Sequence, residues 1–166
     1  NDAIVWNNKG SALTNLNEYD RAIMAFDTAI DLAPAYGQAW FNKGHALSAA
    51  GRNEEALAAY ETAITILPQY AGAWYHKGRM LEALGRKTDA ITALTRATAI
   101  QPAYEEAWEG LGSLLLDEGQ CGRAIEAFDH CQLAYRDNAR LWQLRGRALF
   151  ACKQTDEALT AFDRAV

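Results

Sequence analysis

Three cysteines, three histidines and three serines are the side chains through which this 166-residue chain could do covalent or metal chemistry. Ser11, Ser48 and Ser113 would need a base and a strained glycine elbow to act as nucleophiles, and none sits in such an elbow. Cys121, Cys131 and Cys152 form no CxxC pair and are odd in number, so neither a disulfide framework nor a zinc knuckle is expected, and a reducing compartment follows. His45 and His76 offer two imidazoles, whereas zinc normally takes three or four ligands, and Arg79 close in sequence would repel a cation. His130 reads as ordinary surface. Carboxylate pairs at Glu54/Glu55, Glu105/Glu106 and Asp156/Glu157 cluster where helices should begin, which the helix dipole explains. No glycine-rich phosphate loop precedes a helix. The expectation is a protein without catalytic residues, metal or cofactor.

The elements carrying these residues are set by a ruler. Trp6, Trp40, Trp74, Trp108 and Trp142 are each 34 residues apart. Gly10, Gly44, Gly78, Gly112 and Gly146 keep the same beat, and so do Ala22, Ala56, Ala90, Ala124 and Ala158. Such a period means stacked small units rather than one globular core. In the second unit Trp40, Gly44 and Leu47 share one helix face, and after Gly51 a second helix carries Ala56, Tyr60, Ala63 and Leu67. Gly51 suits a helix end, and Asn53 with Glu54 and Glu55 a helix start. Pro34, Pro68 and Pro102 close units, because proline cannot continue a helix. Gly and Ala leave room for close helix packing beside Phe26, Tyr60, Leu94, Phe128 and Phe162, and Cys131 falls in a small-residue packing slot.

The pattern of Trp, Gly, Ala-x3-aromatic and Pro resembles the tetratricopeptide repeat. It departs from that pattern at the residue before the glycine, which is Lys9, Lys43, Lys77 and Arg145, with the usual Leu only at Leu111. The usual Tyr is Leu13, Leu47, Leu81, Leu115 and Leu149. Arg136 stands where a fourth unit-closing proline would, so a less sharp bend is expected there. The resemblance implies an all-α protein: ten antiparallel helices in a right-handed α-solenoid, with no strand. The units run over 3–36, 37–70, 71–104, 105–138 and an incomplete 139–166, forming one array.

The resemblance also implies a concave groove lined by the first helix of each unit. Counting from each Trp, its residues include Asn7, Asn8, Phe41, Asn42, His45, Tyr75, His76, Arg79, Glu109 and Arg147. The centre would be Phe41, Asn42, His45, Tyr75, His76 and Arg79, where aromatic anchors mix with donors and acceptors suited to a peptide or short helix. His45 and His76 should be neighbours across adjacent first helices. The clamp with which some members of the family grip chaperone C-termini is not reproduced: of Asn7, Ser11, Asn42, Gly72 and His76, only Asn42 matches.

Net charge of −5 with interspersed signs, and no basic stripe, argues against nucleic acid. No apolar run is long enough to span a bilayer, and a cytoplasmic location is expected. The expected function is a protein-interaction scaffold. The alternatives are a self-assembly module stacking end to end and a regulatory segment of a larger enzyme. Because the chain starts at Asn1 and stops at Val166 inside a helix, a fragment is expected. Leu159, Phe162 and Ala165 should leave an apolar patch for further chain, or for association between copies through the array ends.

Overall fold

The structure is a computed structural model describing residues 2–134 and 138–166. Its contacts divide into two compact units, Asn1–Ala90 and Ile91–Val166. Among the described residues there are ten helices and no strand: α1 (Ala3–Asn15), α2 (Tyr19–Leu32), α3 (Gly37–Ala49), α4 (Asn53–Ile66), α5 (Ala71–Ala83), α6 (Lys87–Ile100), α7 (Glu105–Asp117), α8 (Cys121–Ala134), α9 (Ala139–Ala151) and α10 (Thr155–Asp163). In the first unit α1 packs on α2 and α3 on α4; in the second α7 packs on α8 and α9 on α10. Arg136, where a less sharp bend was expected, lies outside the described residues.

Each pair is closed by the same turn. After α3 the chain enters the left-handed region at Gly51, with φ 76°. Its amide donates to Ser48 O and the next amide, of Arg52, to Leu47 O, which satisfies two carbonyls the helix end leaves free. Gly85 and Gly119 repeat this geometry, but the turns after α1 and α9 place Asn17 and Lys153 there, with φ 60° and 64°. The turn also corrects the expected start of α4. Arg52 is the cap and Asn53 the first helical residue, because the turn fixes the register; Arg52 then reaches Glu55 through two hydrogen bonds of 2.7 and 2.6 Å.

In the pairs α1–α2, α3–α4, α7–α8 and α9–α10 the glycine is a contact surface. A methyl on Gly10 would lie 2.6 Å from the Phe26 ring, on Gly44 2.8 Å from Tyr60, on Gly112 2.6 Å from Phe128 and on Gly146 2.6 Å from Phe162. Tyr60, Phe26 and Phe128 are fully buried there.

Successive pairs are joined by two further contacts. The indole nitrogens of Trp40, Trp74 and Trp108 donate to the carbonyls of Pro34, Pro68 and Pro102 at 3.0, 3.0 and 2.9 Å. Two of the lysines that depart from the family pattern are ion-paired to the preceding helix: Lys43 to Asp27 at 2.6 Å and Lys77 to Glu61 at 2.9 Å in the first unit. In the second, Arg145 pairs with Asp129 at 2.6 Å.

The cysteine expectation is overturned. Cys121 and Cys152 are disulfide-bonded, while Cys131 is free and buried. Cys121 opens α8 and Cys152 caps α9, so two residues 31 apart in sequence meet where neighbouring helix pairs adjoin. Spacing alone hides this, because the repeat and not a motif brings them together. Closing a loop of this length stabilises by about 3–4 kcal/mol in the chain-entropy account. The ground for a reducing compartment falls away with it. Among the described residues no helix is long and apolar enough to cross a membrane.

Gly112→Ala should destabilise the protein by about 1–3 kcal/mol, because the overpacking against Phe128 outweighs the gain of about 1 kcal/mol in helix propensity. Urea unfolding followed by circular dichroism reads this directly, and an unchanged midpoint would mean that the ring contact is slack.

Candidate functional site

The first helices α3 and α5 bring the expected central residues together within the first unit. The His76 ring is the hub. Its centroid is 5.0 Å from Tyr75, 5.5 Å from Phe41 and 5.6 Å from His45, all edge-on, and 5.4 Å from Tyr60, which it stacks against at 18°. Phe41 also packs on Tyr70 at 4.7 Å, in the turn before α5. Gly72 lies beside Tyr70 and Phe41, where an added methyl would come within 3.3 Å of the Tyr70 ring, closer than ordinary contact. The predicted neighbourhood of His45 and His76 is therefore found, inside an aromatic cluster.

Burial sets the electrostatics of the cluster. It lowers the pKa of His76 from 6.5 to about 4, helped by the charges of His45 and Arg79, so the ring is neutral. It also raises the Tyr60 phenol well above its ordinary range, with Tyr70 adding to the effect. The Tyr60 hydroxyl is buried with no hydrogen-bond partner among the described residues. An orphaned buried hydroxyl costs about 1–3 kcal/mol.

Beside the aromatic cluster runs a polar ladder. Asn42 Nδ2 donates to Asn7 Oδ1 at 2.9 Å, and Gln38 Nε2 donates to Asn42 Oδ1 at 3.2 Å. Asn7, expected to line the groove, is instead buried at 5% exposure, because this bond draws it between α1 and α3. Asn8 beside it is exposed. Ser11, Thr14, Asn15, Phe26, Phe41, Asn42 and His45 line a recess of about 270 Å³ along these two helices. Arg79 is exposed, and its Nε lies 3.1 Å from Glu82. Glu109 and Arg147 belong to the second compact unit. There Glu109 is ion-paired to Arg140 at 2.7 Å and Arg147 is exposed. His130, read as plain surface, lies flat on Trp108 with centroids 4.1 Å apart.

Tyr60 and Tyr70 were not among the residues expected at the site. The available signal was that Tyr60 is the one hydroxyl-bearing residue in a series otherwise filled by Phe26, Leu94, Phe128 and Phe162.

Paired helices of this length, repeated on one ruler, define a repeat scaffold. The tetratricopeptide repeat model matches residues 7–71, 42–105 and 109–166, and the chain belongs to that family, whose members are generally non-enzymatic interaction scaffolds. The fold class is accordingly an all-α solenoid of antiparallel helix pairs. No curated protein matches the chain. Among solved structures, a MamA protein is 24% identical with a TM-score of 0.91, covering 98% of this chain and 89% of that one. A second MamA structure is 25% identical with a TM-score of 0.88, covering 94% and 91%. YrrB, described as a TPR protein with an unusual peptide-binding site, is 24% identical with a TM-score of 0.86, covering 99% and 84%.

The lowered pKa of His76 makes a pH prediction. The folded state favours the neutral ring, so it binds fewer protons than the unfolded chain, and stability falls as pH drops from about 6.5 towards 4. The slope from this group is about 1.4 kcal/mol per pH unit in that window. His76→Gln should flatten the dependence of the urea midpoint between those pH values. An equally steep dependence in the variant would place the titrating group elsewhere.

Proposed function

We propose that the chain is a protein-interaction scaffold that takes a peptide or short helix of another protein across the first-helix face of α3 and α5. The observation that carries this is the clustering of Phe41, His45 and Tyr75 around the His76 ring, with Arg79 exposed on the same helix. Aromatic surface supplies apolar area at little entropic cost, and Arg adds directional charge, the composition of a binding hot spot. The peptide-binding site in the name of YrrB supports the same use of this fold here. The chaperone-clamp alternative is weakened further by the geometry. Asn42, its one matching residue, already donates to Asn7 and accepts from Gln38.

Selection of a displayed random-peptide library against the wild-type protein should yield ligands whose affinity depends on this face. For the leading peptide, Tyr75→Ala combined with Arg79→Ala should weaken binding by about 2 kcal/mol, close to thirtyfold, with helicity retained. Equal affinity for the folded double variant would move the site off α3 and α5.

A further inference from the structure

We propose that Cys121 and Cys152 form a reversible thiol–disulfide modification site that fastens α9 and α10 to α8. Both sulfurs sit at helix ends, Cys121 on the first residue of α8 and Cys152 on the cap of α9, and both residues are only half-buried, within reach of small thiols. The third cysteine does not compete. Cys131 is 1% exposed, its Sγ lies against the carbonyls of Ala127 and Glu105, and burial, then Glu105 and Glu109, push its thiol up to about 12. Exchange proceeds through thiolate, so a thiol held protonated and out of solvent takes no part.

The place of the bridge gives it leverage. Cys152 is followed by Lys153 at φ 64°, where α3, α5 and α7 are followed by Gly51, Gly85 and Gly119. A side chain in the left-handed region is disfavoured, so the turn between α9 and α10 is less well served by its own sequence than the turns before it. Beyond that turn α10 is held by a small cluster, Ala158 and Ala161 against Leu149, with Ile125, Trp142 and Phe162 packed around it. The bridge ties the start of this weak segment to α8. Formation is a two-electron exchange. The Cys121 and Cys152 thiols give up two electrons and two protons, and a low-molecular-weight disulfide such as oxidised glutathione is reduced to two thiols. Excess small thiol runs the reaction backwards.

The test equilibrates the wild-type protein in glutathione buffers of graded reducing power, then counts alkylated thiols by mass and maps amide exchange. Cys121 and Cys152 should oxidise together in one two-electron step, with native Cys131 unlabelled in both forms. Reduction should speed exchange in α9 and α10 by about a hundredfold or more, as expected from the lost cross-link, and leave α1 to α4 unchanged. Cys121→Ser held in oxidised glutathione should match the reduced wild type, whose measurement needs no variant to fold. Thiols that stay free in excess oxidised glutathione overturn the proposal, and so does equal exchange in the two redox forms.

Discussion

The closest constraint in this protein is the distance between a helix backbone and an aromatic ring. Gly10, Gly44, Gly112 and Gly146 each leave less than 3 Å between a hypothetical methyl and the ring opposite. Glycine costs about 1 kcal/mol in a helix interior, and its recurrence is explained because the ring occupies the space a side chain would need. From that contact the rest follows. The first helix lies close on the second, and the alanines at Ala22, Ala56, Ala124 and Ala158 are buried in the seam.

The junctions between pairs show how a repeat tolerates departures from its pattern. Lysine in place of leucine before the glycine looks like a charge facing a packed surface. The structure supplies Asp27 and Glu61 on the preceding helix for Lys43 and Lys77, and Asp129 for Arg145. Where the chain keeps Leu111, the residue in the acid's place is Thr95, and Leu111 is buried. At these four junctions the charge and its partner are present or absent together, whereas Lys9, on the first helix, lies over the Trp6 ring. Half-exposed pairs of this kind add at most about 1 kcal/mol each, so their value lies in fixing which helix face meets which. Trp indole donation to the proline carbonyl serves the same end. The tryptophans are therefore register pins as well as packing residues, a role their apolar bulk did not advertise.

Helices, their pairing and the juxtaposition of His45 with His76 were legible in the residues because each depends on a repeated local pattern. What lay hidden depends on a single substitution in that pattern. Asn7 reads as an outward residue by position, yet the amide of Asn42 turns it inward. Tyr60 reads as a ring filling space, yet it carries a hydroxyl that the fold leaves without a partner. Cys121 and Cys152 show no motif, since their meeting requires the stacking of two helix pairs. Periodicity predicts what every unit shares and is silent on pairs that occur once.

Those singular features lie where the fold gains least from them. The unpartnered phenol costs the folded state at neutral pH, the neutral His76 ring costs it only as pH falls below about 6.5, and both face the same cluster. Phenylalanine at position 60, as at Phe26 and Phe128, would fill the seam without the hydroxyl. A leucine at position 76 would avoid the proton-linked penalty. Neither group is needed for stacking, but the two differ in reach: the Tyr60 hydroxyl is fully buried, whereas the His76 ring is half-buried and keeps an edge towards solvent. The cluster around His76 thus joins a buried phenol that costs the fold its hydrogen bond to a half-buried neutral ring, so the recognition proposed for this face draws on His76, Phe41 and Tyr75 and not on the Tyr60 hydroxyl.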